Sequence, residues 1–145
     1  MIDHPENTVE NFVMAGASRL VLHLESKGDL PGTIAKLTGK VDIGLALNIA
    51  TPLEAVKPFI DSIQYIQLMG INRVGYQGQE FEPKVVARIR ECQKLYPNLP
   101  VSVDGAVSLE TAPELISAGA TRLVVGSGIF NSENIIETIT RFKRL

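Results

Sequence analysis

Short apolar runs rich in valine, isoleucine and leucine recur along the chain, separated by longer and more polar segments. The runs occupy residues 19–24, 41–47, 63–69, 99–103 and 121–125. Runs of this length and composition are typical of strands that are covered on both faces. Their starts lie 22, 22, 36 and 22 residues apart, which leaves room for a helix and two loops and exceeds what a hairpin uses. The pattern predicts an α/β fold of five parallel strands alternating with helices.

The segments between the runs carry signals for helices. Thr51-Pro52-Leu53-Glu54 has the form of a capping box with proline at the first helical position, so we expect an α-helix to begin there. Val85, Ile89 and Cys92 share one helical face, so Cys92 faces the sheet, where a catalytic cysteine is one interpretation and a small core residue is the one we expect. A last helix is expected to bury an apolar stripe made by Ile135, Ile136, Ile139 and Phe142.

One internal repeat marks two junctions between a helix and a strand. Residues 15–21 (AGASRLV) recur as residues 118–124 (AGATRLV). A glycine after a helix fits the left-handed residue that ends many helices, so Gly16 and Gly119 are predicted to occupy that position. A generic helix-to-strand joint explains the repeat as well, and either interpretation supports strand–helix units of one kind.

Two architectures fit five such units. One is an open, doubly wound sheet, and the other is part of a (β/α)8 barrel. A complete barrel at this spacing would need roughly 200 residues, whereas the chain has 145. No linker divides the sequence, so residues 1–145 are predicted to form a single domain.

Composition narrows the class of protein. Lys and Arg number 14 against 16 Asp and Glu, for a net charge of −2, which argues against a nucleic-acid partner and against an anionic membrane surface. No apolar run approaches the ~18 residues of a membrane span, and the N-terminus lacks the pattern of a signal peptide. A single cysteine excludes an intrachain disulfide framework. We therefore expect a cytoplasmic globular domain.

Candidate chemistry follows from the segments after each strand, because both architectures bind ligands at the carboxyl ends of strands. Gly126-Ser127-Gly128 follows the fifth strand and can present backbone N–H groups to an anion; alone it would be a flexible turn, but its position favours a phosphate loop. Asp104 follows the fourth strand, where Asp-Gly is either a turn pair or a catalytic or metal-binding carboxylate. His23 lies within an apolar strand and is interpreted as a hydrogen-bonded core histidine.

These residues belong to a wider resemblance. Residues 103–107 (VDGAV) followed by 126–130 (GSGIF) resemble the VDGGV…AGSAIF ending of ribulose-phosphate 3-epimerases. Residues 46–54 are similar to that family's ALNPxTPLE segment, and residues 69–81 to its MTVNPGFGGQKF loop. His23 and Glu25 match its FHxE strand. The resemblance extends over essentially all 145 residues.

The resemblance implies a partial (β/α)8 barrel that begins in the family's third helix, with the first three strands absent. It implies an epimerase that interconverts ribulose 5-phosphate and xylulose 5-phosphate by C3 proton exchange through a metal-held enediolate. Asp104 would be one of two catalytic aspartates and a ligand of a divalent metal of the Zn, Fe, Mn or Co class, and Met69 would line the site. Contacts to the substrate phosphate would come from Gly75, Tyr76, Gln77, Gly78, Gly105, Ala106, Gly126 and Ser127.

The other catalytic aspartate and the histidine ligands of the family would precede Met1, so the chain alone is expected to be inactive. The family's Asn-Pro-Gly becomes Asn72-Arg73-Val74-Gly75, and its Asp-Gly-Gly becomes Asp104-Gly105-Ala106, which puts the exact sugar phosphate in question.

A sugar-phosphate aldolase or decarboxylase is one alternative, although no lysine follows a strand; a non-catalytic sugar-phosphate-binding protein is another. A homo-oligomer is expected, because a sheet cut from a barrel has open edges.

Overall fold

Five parallel strands form one sheet whose spatial order follows the sequence, β1-β2-β3-β4-β5. The computed structural model describes residues 2–76 and 78–145. The strands are β1 (Arg19–His23), β2 (Asp42–Leu47), β3 (Tyr65–Met69), β4 (Val101–Asp104) and β5 (Arg122–Val124). A doubly wound sheet reverses its strand order at a switch point, and this sheet does not. The order is that of consecutive units of a (β/α)8 barrel, so the prediction of a partial barrel is confirmed.

Helices connect the strands and cover one face of the sheet. They are α1 (Val9–Met14), α2 (Leu30–Leu37), α3 (Lys84–Leu95), α4 (Ala112–Ser117), α5 (Ser127–Phe130) and α6 (Ile135–Phe142), with 3-10 segments at Pro5–Asn7 and Leu53–Ser62. The core lies between the helices and the strand side chains that face them, which include Ile43, Leu45, Ile66, Leu68 and Val103. Cys92 is fully buried in this layer, as its helical spacing predicts.

The opposite face of the sheet is concave and carries no helix in the described residues. Val21 of β1 and Val124 of β5 are exposed there. Arg19 and Arg122 approach the ring of Tyr65 on the central strand from the two edge strands, with guanidinium carbons 5.7 and 4.4 Å from the ring centroid. Arg19, Tyr65 and Arg122 therefore share this face of the sheet.

The expected capping box at residues 51–54 is wrong. Leu53–Ser62 is a 3-10 helix with Pro58 inside it, and its N-terminal residue has no side-chain cap. Proline lacks the N–H that an α-helix would need at position 58. The Thr51 hydroxyl instead donates to the Glu25 carboxylate across the chain.

The last helix also departs from its expected packing. Asn134 begins α6 by accepting a hydrogen bond from the Glu137 N–H, 3.1 Å away. Ile136 is 75% exposed, so the isoleucine stripe is only partly buried. In the described residues β5 is an edge strand of the sheet. Helix α6 therefore has little strand surface on which to bury its apolar side chains.

The two repeated junctions are alike in structure, as the sequence predicts. Gly16 and Gly119 have φ of 91° and 111°. At each junction the N–H groups of the glycine and of the following alanine donate hydrogen bonds to carbonyls of the preceding helix. The accepting carbonyls belong to Val13 and Phe12 at the first junction and to Ile116 and Leu115 at the second. Both are Schellman motifs, which hold the chain as it turns from helix into strand.

Among the described residues, no helix combines the length and the apolar character that crossing a bilayer requires.

Candidate functional site

A cavity of about 350 Å³ opens at the carboxyl ends of β3, β4 and β5. This volume lies at the lower end of the range of small-molecule sites, about 300–1,000 Å³. Its polar and glycine-rich wall comes from the segments that follow the strands: His23, Gly75, Tyr76, Gly78, Gln79, Asp104, Gly105, Ala106, Gly126 and Ser127. Met69, Ile71, Val74, Val107 and Val124 complete it.

The cavity brings together the site residues predicted from the sequence. Asp104, Met69, Gly75, Tyr76, Gly78, Gly105, Ala106, Gly126 and Ser127 all line it. Gln77 lies outside the described residues. Their shared location is a structural fact, and the roles assigned to them remain predictions.

Asp104 is the last residue of β4, and its backbone and side chain are both held in place. Its carbonyl accepts the Gly70 N–H at 2.7 Å, which extends the β3–β4 pairing. Its Oδ2 accepts from the Gln67 side-chain amide at 3.3 Å, and Gln67 Oε1 in turn accepts from the Ser102 hydroxyl at 3.5 Å. Burial raises the pKa of the Asp104 carboxyl, partly offset by the Gly105 N–H and by His23. A carboxyl whose pKa is raised by burial at the wall of a cavity is a candidate for proton transfer.

Gln67 was missed by the sequence reasoning. It occupies an apolar run and is 6% exposed, on the face of the sheet away from the helices. A polar residue within a strand whose neighbours are all apolar was the available signal, because a buried amide needs partners.

The turn after β4 brings backbone close to the cavity. Gly105 and Ala106 both have positive φ, at 103° and 52°. Thr111 fastens the turn by donating from its hydroxyl to the Ala106 carbonyl at 3.2 Å. A side chain on Gly70 would meet the Gly105 carbonyl, so the tight approach of the two loops needs glycine there.

The segment after β5 forms a one-turn helix at the cavity. Gly126 precedes α5, and the N–H groups of Ile129 and Phe130 bond back to its carbonyl. The first N–H groups of a helix have no intrahelical partner. Ser127, at the start of α5, adds a hydroxyl beside them.

The loop between β3 and α3 is braced by Gln79, another residue that sequence reasoning missed. Its Oε1 accepts the Arg73 N–H at 3.1 Å, and its Nε2 donates to the Tyr76 carbonyl at 3.1 Å and to the Arg73 carbonyl. One side chain thereby closes the loop on itself. Tyr76 is 72% exposed at the mouth of the cavity.

A charged network supports the other end of the cavity. His23 Nδ1 lies 3.1 Å from Glu25 Oε2. Glu25 Oε1 accepts the Asn48 N–H at 2.8 Å and the Thr51 hydroxyl. Burial raises the pKa of Glu25, but these hydrogen bonds outweigh burial and bring it to about 2. Glu25 is therefore a carboxylate at neutral pH.

The described residues do not form the set of ligands that the divalent metal implied by the sequence resemblance would need. Within residues 2–76 and 78–145, no group of three or more His, Cys, Asp or Glu side chains is placed to hold a metal ion. Asp104 offers one carboxylate. Metal binding by Asp104 therefore stays a prediction.

A family model and individual relatives match this chain to one and the same family. The model of the ribulose-phosphate 3-epimerase family matches residues 1–130. The ribulose-phosphate 3-epimerase of Schizosaccharomyces pombe is 31% identical over 141 residues, which are 97% of this chain and 61% of that protein. The cytoplasmic isoform of Oryza sativa subsp. japonica is 32% identical over 148 residues, covering 99% of this chain and 65% of the relative. The chain thus spans somewhat under two thirds of the length of these relatives.

Among solved structures, KGPDC from Streptococcus mutans in complex with D-R5P superposes with a TM-score of 0.74 at 16% identity. The match covers 95% of this chain and 65% of the other. At this identity the similarity establishes the fold, in which five strand–helix units correspond to part of a barrel enzyme.

Proposed function

This chain belongs to the ribulose-phosphate 3-epimerase family, and we propose that it binds ribulose 5-phosphate and supplies one of the carboxylates that interconvert this ketose with xylulose 5-phosphate. The observation that carries the proposal is the cavity in which Asp104 and three backbone-rich loops meet. Backbone N–H groups and a serine hydroxyl suit a phosphate, and a half-buried carboxyl suits proton transfer.

The phosphate is proposed to lie against the loops that carry residues 75, 76 and 78, 105–106 and 126–127. The carbon chain then extends toward Asp104 and Met69, which are paired across β3 and β4. Charge-assisted hydrogen bonds of this kind contribute about 1.5–3 kcal/mol each. Three separate loops can therefore fix the substrate by its phosphate while leaving C3 near the carboxyl.

In this arrangement Asp104 takes the C3 proton from one face of the ketose. The electron pair of the C3–H bond becomes the second bond between C2 and C3, the π pair of the C2 carbonyl moves onto its oxygen, and an enediolate results. Epimerisation then needs a proton donor on the opposite face. Asp104 is the only carboxylate among the described residues that line the cavity, so we propose that the 145-residue chain binds the sugar phosphate without epimerising it.

A sugar-phosphate-binding protein without catalysis is the second candidate, and the single carboxylate favours it. An aldolase or decarboxylase that uses a lysine is disfavoured, because the described lining of the cavity contains no lysine.

Calorimetry with ribulose 5-phosphate tests the site. Ser127→Asp places a carboxylate where the phosphate is proposed to lie and is expected to abolish binding by like-charge repulsion. Ser18→Asp, which adds the same charge at an exposed position between α1 and β1, is the matched control and is expected to bind normally. Asp104→Asn is expected to bind as well as the parent or slightly better. Undiminished binding by Ser127→Asp would show that the phosphate lies elsewhere.

A coupled assay for xylulose 5-phosphate tests the catalytic part. The parent chain is expected to show no rate above buffer. A clear rate that disappears in Asp104→Asn would mean that a second proton donor is present in this chain and that the single-carboxylate account is wrong.

We further propose a cytoplasmic location and self-association. The uncovered concave face and the two edge strands support association, because exposed strand edges and apolar patches favour contacts between chains. Light scattering after size exclusion is expected to show a dimer or larger species, and a sharp monomer peak would contradict this.

A further inference from the structure

The cavity contains one imidazole that the proposed function does not use. His23 ends β1 and lines the cavity with Asp104. Its side chain is only 15% exposed. An imidazole at the wall of a polar cavity is a strong hydrogen-bonding group for a sugar, because it offers one ring nitrogen to the ligand while the other is held by the protein.

Glu25 holds that other nitrogen. Its Oε2 lies 3.1 Å from His23 Nδ1, while its Oε1 is occupied by the Asn48 N–H and the Thr51 hydroxyl. Arg88 holds this arrangement from α3 by donating to the Thr51 carbonyl at 2.6 Å. Glu25 therefore has little freedom to turn away from the ring.

The bond fixes the tautomer of His23. A carboxylate only accepts hydrogen bonds, so Nδ1 must carry the proton. In the neutral ring Nε2 then has a lone pair and accepts a hydrogen bond. A ligand hydroxyl can supply that hydrogen bond, and a fully ionised phosphate oxygen cannot.

We propose that His23 accepts a hydrogen bond from a hydroxyl of the bound ketose phosphate through Nε2, and that Glu25 is the positioning residue that selects this tautomer. The inference rests on the proposed function and deepens it, because it makes His23 a determinant that recognises the sugar rather than the phosphate. Loops near Ser127 would bind phosphate of any origin, whereas His23 would respond only to a hydroxylated ligand.

The chain contains its own control. His4 and Glu6 have the same spacing in sequence, and His4 Nδ1 lies 3.1 Å from Glu6 Oε1. The His4 side chain is 55% exposed and lies outside the lining of the cavity. The chain has only these two histidines, so both rings can be followed separately.

The experiment is nitrogen-15 NMR of the imidazole rings in the 145-residue chain. In the parent without ligand, His23 is expected in the tautomer protonated at Nδ1. Glu25→Gln can keep its carbonyl on the Asn48 N–H and Thr51, which turns its NH2 group toward the ring and favours the tautomer protonated at Nε2. Ribulose 5-phosphate is expected to shift His23 Nε2 and to leave His4 unchanged, whereas sulfate, which carries no O–H at neutral pH, should shift neither ring.

Affinity supplies the second readout. Glu25→Gln is expected to weaken ribulose 5-phosphate binding roughly three- to tenfold, the range for losing one hydrogen bond between neutral groups. Its affinity for inorganic phosphate should stay at the parent value. Glu6→Gln should change neither affinity.

The outcomes separate this inference from the proposed function. A parent that binds no ribulose 5-phosphate overturns the proposed function and the sugar contact together. A parent that binds it with no shift at His23 Nε2 overturns the contact alone. A His23 ring protonated at Nε2 in the free parent overturns the role of Glu25, and this measurement needs no variant to fold. A Glu25→Gln chain with a changed tautomer and unchanged affinity shows that the tautomer is irrelevant to binding.

Discussion

Acid is expected to remove a stabilising contribution of Glu25. The pKa of this carboxyl falls from 4.5 to about 2 on folding, so the contribution is fully present above pH 4.5 and is lost as the pH falls through about 2. At about 1.4 kcal/mol per pKa unit, the whole shift corresponds to about 3 kcal/mol. The Glu25 side chain is 29% exposed, and solvent screening reduces the expected contribution to about 1–2 kcal/mol.

The assay is urea unfolding of the parent and of Glu25→Gln at a series of pH values from 7 down to 2. The glutamine cannot ionise, so the variant is expected to be about 1–2 kcal/mol less stable at pH 7, and this difference should begin to shrink below pH 4.5 and continue to shrink as the pH approaches 2. Glu10→Gln, at an exposed position on α1, serves as the control and should leave the pH dependence of the parent unchanged. A difference between parent and Glu25→Gln that stays constant with pH would show that ionisation of Glu25 does not stabilise the fold.

Three further predictions concern stability and reactivity. Burial raises the pKa of the Cys92 thiol to about 11, so at pH 8 the folded chain is expected to react with Ellman's reagent at least roughly 100-fold more slowly than the urea-unfolded chain; equal rates would contradict this. A side chain on Gly44 would meet the Tyr65 ring, so Gly44→Ala is expected to lower the free energy of unfolding by about 1–3 kcal/mol, and an unchanged melting temperature would count against that contact. Ala106 has a φ of 52°, so Ala106→Gly is expected to gain about 0.5 kcal/mol in urea unfolding while Ala106→Val loses stability; a more stable valine variant would show that the turn is not left-handed.

The strands and their parallel order could be predicted because a buried parallel strand leaves a local signature. A run such as 41–47 is apolar throughout because both of its faces are covered, and the 22-residue spacing leaves no room for another connection. The positions of Asp104 and Ser127 at one cavity followed from the same reasoning, since parallel strands end on the same side.

The side-chain hydrogen bonds of the site could not be predicted, because they depend on what folding places beside each side chain. Thr51 has the local form of a helix cap, but its hydroxyl bonds to Glu25, 26 residues away. A local sequence motif shows which groups are able to form a hydrogen bond. It does not show which partner they choose when folding brings a residue that is distant in sequence close to them. Gln67 and Gln79 were missed for the same reason, because an amide side chain acquires its role from the carbonyl or carboxylate beside it.

The hydrogen bond from the Gly70 N–H to the Asp104 carbonyl predicts that the two walls of the cavity differ in their rates of amide hydrogen exchange. Deuterium can enter at Gly70 only when β3 and β4 separate, so exchange at that amide is expected to follow the slow, cooperative opening of the sheet. The opposite wall, near Tyr76, lies in an exposed loop closed by the side chain of Gln79, and such loops open locally within nanoseconds to microseconds. Hydrogen exchange at the Gly70 amide is therefore expected to be slower than exchange at the Tyr76 amide on the other side of the cavity.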